Sequence, residues 1–477
     1  MAAFIMNKIE RIKQLVDFKV EGKYEPMEHQ WQSGVFMAEH KRCFNLSTMR
    51  TGKTGSTLLA YDLLRRTNRA RRMLILAPLS TLRAVWYESV LNSLNVSALL
   101  LVGTAARMVN AIAAGPDIIV ANYEKLNKYY DDLLSWHPDV VCIDECTAYA
   151  NAGTQRSKRI FHFLRYLPDV RVWGLTGTPG HDPIKVFGMV HVVNPENLGN
   201  IKSVYQWREL TQYKANMYEW RNRAEADGLM KKVLQPAIRF DARDVLDLPK
   251  VTTEAQYAEP TVEIKKAVKA LQDCMMAEFH GETITVQQQS ACVGRCLQLL
   301  CGCVRAESGG DVRTLTDLPR DQLILDLINS TDRKTVIFSP FIARCHALTD
   351  WLNSKGVSCE SVTGETSEAK RAKIFTAFLN EASPRVLVCH PRTTAFGVEL
   401  SSADLMIFDG VCLSGDFVYG QALARLSSAK QTSDHIHVVH VFSSQLELKM
   451  IRALRDGQKL NAVIADAFTQ ATKENIL

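Results

Sequence analysis

What this chain lacks narrows the field first. It has no unbroken apolar run near the ~20 residues that a membrane-spanning helix requires. Lys8, Glu10, Arg11 and Lys13 break up its start, so no apolar centre of a secretory signal is present. A soluble, intracellular, cytoplasmic protein is expected, with no membrane partner. No low-complexity tract occurs, and the formal net charge of +6 permits a nucleic-acid partner without demanding one. The twelve cysteines are scattered as reduced thiols rather than stapling a small scaffold. Cys292, Cys296, Cys301 and Cys303 lack the paired Cys-x-x-Cys of a zinc ribbon, and Val293, Leu297, Leu299 and Leu300 beside them read as a buried helix. His435, His437 and His440 lie on or beside an apolar strand with only Asp434 as a nearby acid, which suits packing or surface roles better than metal binding.

What is present is an ordinary folded composition, 47% apolar and 23% charged over 477 residues, enough for two or three domains. The most informative stretch is Ser47 to Thr54, Ser-Thr-Met-Arg-Thr-Gly-Lys-Thr. Upstream lies the short apolar strand Cys43 to Leu46, and downstream Ser56 to Arg66 has helical apolar spacing. A loop there can cradle a polyphosphate with backbone N–H groups and the positive helix end. Gly52 lets the backbone come close, Lys53 can reach the outer phosphates and the Thr54 hydroxyl can ligate magnesium. The full pattern G-x-x-x-x-G-K-[ST] wants glycine at 47, where this chain has serine.

Strand and helix signals then alternate: strands at Met73 to Ala77, Ala98 to Val102 and Asp117 to Ala121, and a helix from Thr81 to Leu94. This pattern predicts a parallel sheet flanked by helices, with ligands at the loops that follow the strands. Asp139 to Ile143 is another apolar strand, and it ends in the acids Asp144 and Glu145. Asp144 would hold a metal and Glu145 would orient an attacking water. Val172 to Leu175 runs into Thr176-Gly177-Thr178-Pro179, whose hydroxyls can link the acidic pair to whatever the protein grips.

Residues 196–312 interrupt the alternation with helical, charged sequence that includes Ile238-Arg239-Phe240. A second set begins at Lys334, with strands at Thr335 to Ser339, Ser358 to Thr363, Arg385 to Cys389 and His437 to Phe442. Helices are expected at Arg344 to Lys355, Glu368 to Leu379 and Leu446 to Phe468, and a further short one within residues 1–22. The fold expected is α/β: two RecA-like parallel-sheet lobes with a helical insertion between the motif sets. The first lobe spans 1–248, with the insertion from about 196. The second spans 249–477, with a helical start at about 260–312 and a C-terminal helix.

In order and approximate spacing, Gln30, the Lys53 loop, Asp144-Glu145 and Thr176-Gly177-Thr178-Pro179 resemble superfamily 2 helicases. Ala77-Pro78-Leu79-Ser80, with Trp86 and Glu88 beyond, is similar to the Swi/Snf-like DNA translocase branch. That branch usually carries Asp-Glu-Ala-His, where this chain has Asp144-Glu145-Cys146-Thr147, with Asn151 in the matching later place. Arg392-Thr393-Thr394-Ala395-Phe396-Gly397-Val398-Glu399-Leu400 resembles the family's fifth motif, and Gln421-Ala422-Leu423-Ala424-Arg425 its sixth. Ser428 stands where the sixth motif has a second arginine, a cation worth on the order of a thousandfold in rate. Lys430 or Arg392 is placed to compensate.

The resemblance covers roughly residues 24 to 470, and it implies ATP and Mg2+ as cofactors. Gln30, Thr51, Gly52, Lys53, Thr54 and Gly397 would bind nucleotide, and Thr54 and Asp144 the metal. Lys53, Asp144, Glu145, Gln421 and Arg425 would carry hydrolysis in a cleft between lobes. Ser80, Thr81, Asn122, Thr176, Thr178, Ser339, Thr363 and Arg392 would meet DNA, with duplex favoured and no sequence specificity. Three activities stay open: a duplex-tracking translocase, a strand-separating helicase of replication, recombination or repair, and a nucleotide-switched clamp that has lost hydrolysis.

Overall fold

A computed structural model describes Glu10, Ile12 and residues 25–177, 179–180, 182–215, 220–274, 276–279, 282–285, 289–304, 312–394, 400–413, 416–426, 431 and 433–456. The chain divides into two compact units, Met1–Leu246 and Asp247–Leu477. The helix expected within residues 1–22 lies outside the described residues apart from Glu10 and Ile12.

The first unit opens with α1 (Glu28–Glu39), β1 (Arg42–Asn45), α2 (Lys53–Arg66) and β2 (Met73–Ala77). It continues with β3 (Ala98–Leu100), β4 (Ile118–Asn122), β5 (Val140–Ile143), α3 (Gln155–Arg165), β6 (Arg171–Leu175) and α4 (Pro183–Val193). After these come α5 (Val204–Thr211), β7 (Gln212–Lys214), β8 (Trp220–Asn222), α6 (Ala226–Val233) and β9 (Ala237–Ile238). Seven of the strands form one parallel sheet in the order β3-β4-β2-β5-β6-β1-β9.

Side chains along a strand alternate between faces, and here both faces are apolar, as a sheet covered on both sides requires. Phe44, Leu74, Leu76, Ile119, Val141 and Ile143 pack into one core. Cys43, Met73, Ile75, Ile118, Val140 and Trp173 pack into the other, against α1 and α2. The single helix expected at Thr81 to Leu94 is broken into a turn at Leu79–Thr81, a π-helical stretch at Leu82–Tyr87 and an α-helical end at Glu88–Ser93. The widened stretch carries Trp86, which is fully buried. Such π segments recur at functional sites.

The second unit comprises β10 (Lys250–Tyr257), α7 (Val262–Cys274), β11 (Met276–Phe279), β12 (Glu282–Thr285), α8 (Gln289–Leu300), β13 (Cys303–Val304), β14 (Arg313–Thr314) and α9 (Pro319–Asn329). It goes on with β15 (Lys334–Phe338), α10 (Ile342–Ser354), β16 (Cys359–Val362), α11 (Glu368–Asn380), β17 (Val386–Cys389), β18 (Ala403–Asp409), α12 (Asp416–Leu423), β19 (His435–Phe442) and α13 (Gln445–Arg455). Its main sheet is also parallel, in the order β10-β19-β18-β15-β17-β16. The two parallel-sheet lobes are therefore as expected.

The interval 196–312 is richer than its helical appearance. It holds α5 to α8, but β9 and β10 also fall within it and extend the two sheets at their edges. A two-residue strand displays no alternation. In β10, an edge strand, Lys250, Val251, Thr252, Ala255 and Tyr257 are all exposed, so the apolar pattern that marks a strand is missing.

The cysteines at 292, 296, 301 and 303 are buried in the core of the second unit. His440 is buried too: its ring stacks on Phe408 at 4.8 Å, and its Nε2 lies 3.0 Å from the Tyr419 hydroxyl. Burial, reinforced by Arg455, pushes its pKa down to about 3. His437 lies 3.4 Å from Glu254 on β10, an acid that its sequence neighbourhood did not reveal.

A network of five buried charged side chains joins the end of β18 to α9, α10 and α13. Arg344 donates from Nε to Asp409 at 2.8 Å and also pairs with Asp321. Arg320 holds both Glu447 oxygens, at 3.0 and 2.9 Å, and reaches Asp409 at 3.5 Å. Ser339 donates its hydroxyl to Asp409 at 3.2 Å. Burial alone would raise the Asp409 pKa, but Arg344 and Arg320 outweigh it and hold the carboxyl below its ordinary value.

Candidate nucleotide site

The phosphate-loop stretch lies between β1 and α2, at the C-terminal edge of the first sheet, where ligands of such folds bind. Gly52 takes a left-handed φ of 74° before the helix begins at Lys53, a conformation that glycine adopts without steric cost. No side chain caps that helix start, and the positive end of a helix suits an anion. Lys53 Nζ donates to the carbonyls of Ser47 at 2.8 Å and Thr48 at 3.0 Å, curling the loop around its own ammonium group. The Thr51 hydroxyl donates to the Thr48 carbonyl at 2.9 Å.

Two flanking segments fix this loop. From α1, His29 Nε2 lies 2.8 Å from the Thr51 carbonyl and Gln30 Nε2 donates to the same oxygen at 3.2 Å. Gln30 Oε1 accepts from the Met27 backbone N–H at 2.9 Å, so both ends of the amide are engaged within the protein. From the far end of the unit, the Phe240 backbone N–H donates to Ser47 Oγ at 3.1 Å and that of Ala242 to Thr48 Oγ1 at 2.7 Å. The Phe240 ring sits 5.7 Å from that of His29. Neither His29 nor Phe240 figured among the expected site residues. Their position beside Gln30 and in the Ile-Arg-Phe run was the available signal.

Asp144 follows β5. Its Oδ2 accepts from the Trp86 indole N–H at 2.8 Å, and its Oδ1 from the Glu145 backbone N–H at 3.0 Å. Its carbonyl accepts from the Tyr123 hydroxyl at 2.7 Å. Burial pushes the Asp144 pKa up, opposed by the Trp86 N–H, the Lys53 ammonium, the Glu145 N–H and the Thr81 hydroxyl, and burial prevails. Glu145 has a left-handed φ of 46°. Its Oε2 accepts from the Thr176 hydroxyl at 3.2 Å, linking the ends of β5 and β6. A side chain added at Gly177 would come within 3.5 Å of Lys53 Nζ and 3.1 Å of the Met49 backbone. Three loops thus converge: Ser47 to Thr54, Asp144-Glu145 and Thr176-Gly177.

The remaining expected residues fall in several settings. Thr81 donates its hydroxyl to the Pro78 carbonyl at 3.2 Å, and Asn122 ends β4 with Oδ1 accepting from the Lys125 N–H at 3.2 Å. Ser80 lies within the turn Leu79–Thr81 that follows β2. Thr176, Ser339 and Thr363 are fully enclosed, which differs from the exposed grip on a phosphate backbone expected of them. Ser339 is taken up by Asp409, and Thr363 Oγ1 accepts from the Glu365 N–H at 3.3 Å. Arg392 is exposed in the turn Pro391–Thr394. Gln421 is buried on α12, and Arg425, half-buried, follows that helix. Thr178, Gly397, Ser428 and Lys430 lie outside the described residues.

The residues present fit a magnesium–triphosphate. An uncapped helix start, a lysine at the loop and a carboxylate ringed by protein with Lys53 as its cationic neighbour make a set for an anion and a cation together. Among the described residues, no cluster of three or more His, Cys, Asp or Glu is arranged to hold a metal by itself. No described helix is long and apolar enough to cross a membrane.

A fold of two parallel sheets with a phosphate loop and an acidic pair after a strand is that of a helicase-like ATPase core. Comparison with known families matches the SNF2-related domain over residues 27–295 and the helicase conserved C-terminal domain over residues 320–453. The chain belongs to the SNF2-related family, the Swi/Snf-like branch of superfamily 2 helicases. Among solved structures it is similar to the Sulfolobus solfataricus SWI2/SNF2 ATPase core in complex with dsDNA, at 17% identity over 95% of this chain and 96% of that one, with a TM-score of 0.43. It is also similar to the SWI2/SNF2 ATPase core domain of the same organism, at 17% identity over 97% and 92%, with a TM-score of 0.42. No curated protein matches.

Proposed function

We propose that this protein is a DNA-dependent ATPase that couples ATP hydrolysis to movement along duplex DNA without sequence specificity. The observation that carries the reading is the convergence of Lys53, Asp144 and Glu145 at one edge of the first sheet, with Thr176 bound to Glu145 at 3.2 Å. Magnesium held there would supply positive charge to neutralise the charge that develops on the phosphates. In this chain Lys53 and the α2 N-terminus would hold the phosphates, Thr54 and Asp144 would hold the metal, and Glu145 would orient water. The Glu145–Thr176 bond reports occupancy to the loop after β6. Gln30, Thr51, Gly52 and Gly397 complete nucleotide binding, and Gln421 and Arg425 act on the transferring phosphate. Ser80, Thr81, Asn122, Thr178 and Arg392 are the proposed contacts to the DNA backbone.

A second reading, a nucleotide-switched clamp with weak hydrolysis, is favoured by Ser428, which stands where the family's sixth motif has a second arginine. Phosphate release from ATP, measured without nucleic acid, with single-stranded DNA and with duplex, separates the two. A motor gives strong duplex stimulation, and Lys53→Ala lowers the rate by a factor of roughly 100–1000. Ser428→Arg then raises the rate if the missing cation limits it. Nucleotide binding with no release under any condition rejects the motor and leaves the clamp. A strand-displacement assay distinguishes tracking from strand separation.

A further inference from the structure

The first unit carries a feature that the nucleotide site does not use. Four of its exposed large apolar side chains, Tyr205, Leu210, Tyr213 and Trp220, fall close together on α5 and the two strands that follow it. Tyr213 and Trp220 are 44% and 42% exposed, on strands β7 and β8 that pair only with each other. In the antiparallel register Tyr213 faces Arg221, and Lys214 faces Trp220. Directly opposed residues share a face of the ribbon and successive ones alternate. Each face therefore presents one aromatic ring beside one cation.

The ribbon is anchored at its base. Trp207 on α5 is buried and donates its indole N–H to the Pro183 carbonyl at 2.6 Å. Arg223, just past β8, donates to the carbonyls of Glu209 and Gln212, both at 3.1 Å. Arg208 of α5 lies over the Trp220 ring at 5.2 Å. Between residues 204 and 223 the sequence carries four cations, Arg208, Lys214, Arg221 and Arg223, against two acids, Glu209 and Glu219.

A short two-stranded ribbon gains little stability by itself, and rings that stay 44% and 42% exposed recover only part of their burial. Rings flanked by cations that outnumber the acids two to one match a polyanion that also offers flat apolar faces. Nucleic acid has both properties: its bases stack on aromatic rings and its phosphates meet the cations. Bases inside a duplex are already stacked on each other, so the rings favour unpaired ones.

We propose that the β7–β8 ribbon is a second nucleic-acid contact, separate from the motor's duplex track, that stacks unpaired bases on Tyr213 and Trp220. This deepens the DNA-motor reading and rests on it for the identity of the polymer. With a ring on each face, the ribbon suits the point where a duplex meets single strands.

The test uses the full chain and fluorescence anisotropy with three labelled DNAs: a single strand, a blunt duplex and a fork. Tyr213→Ala combined with Trp220→Ala is expected to weaken single-strand and fork binding by about tenfold or more. Blunt-duplex binding and duplex-stimulated phosphate release should stay within about twofold, the span left by losing no stacked base. Trp220→Phe, which keeps a ring, should retain most of the binding, and Lys214→Gln with Arg221→Gln should reduce it. Unchanged fork and single-strand binding in the double alanine variant, or an equal loss on all three DNAs, overturns the proposal. If the wild type shows no DNA-stimulated phosphate release but the ribbon variants still lose single-strand binding, the motor reading fails and the ribbon contact stands.

Discussion

Asp144 in the first unit and Asp409 in the second occupy comparable places, each at the C-terminal end of a strand in a parallel sheet, and they are treated in opposite ways. Asp409 faces two arginines and a serine hydroxyl, and its pKa is held down. Asp144 faces an indole N–H and a lysine whose ammonium is also bound to two carbonyls, and its pKa is pushed up. The difference separates structure from chemistry. The charge of Asp409 is balanced inside the protein by Arg344 and Arg320, although its Oδ1 accepts no hydrogen bond. Around Asp144, burial outweighs the donors and the lysine that favour its ionised form, which suits a site that receives a cation.

The largest effect should come from breaking the compensated acid. Asp409→Asn leaves Arg344 and Arg320 short of a partner and should cost the second unit about 3–5 kcal/mol, read by urea denaturation of the full chain. The pH dependence has a defined sign. Because the folded pKa of Asp409 is lowered, its stabilisation is complete above the unfolded carboxylate range and is lost as pH falls through the folded value. For Asp144 the sign reverses: its raised folded pKa favours the protonated form, so this group's contribution falls as pH rises from the unfolded value to the folded one. Acid titration followed by probes in each unit should show the Asp409 contribution lost at the lower pH, and the variant should lack it.

Trp86→Phe should have an intermediate effect. It removes the indole N–H that favours ionised Asp144, so the acid limb of the phosphate-release profile should move to higher pH by about one unit or less. A downward move would contradict the assigned role. The smallest stability change should come from Asp144→Asn, which removes a poorly balanced charge at the loss of one hydrogen bond. It should alter first-unit stability by about 1 kcal/mol or less while abolishing phosphate release, and a loss as large as that of Asp409→Asn would erase the contrast.

The sheets and the acidic pair were legible because each rests on local patterning: continuous apolar strands, small-residue loops, and a glycine and lysine before a helix. The contact of Trp86 with Asp144 was not, although Trp86 itself stood out, because it depends on the π-helical stretch Leu82–Tyr87 and on packing between β2 and β5. The Arg320–Asp409–Glu447 network was equally hidden. Its members are far apart in the chain, and each alone reads as a surface charge. β9 is too short to show a period, and β10 exposes apolar and polar residues alike. Ser339 and Thr363 were expected to meet DNA from the resemblance alone, and their burial depends on packing that no local pattern displays.

The ties from Phe240 and Ala242 to Ser47 and Thr48 also govern the order in which the protein can be completed. A chain made from its N-terminus has β1 and the loop residues long before the segment that borders them. Until Ala242 is available, the outer edge of β1 has no neighbour and the Ser47 and Thr48 hydroxyls lack their acceptor roles. The nucleotide loop, among the first parts of the unit to be synthesised, is among the last to be locked in place.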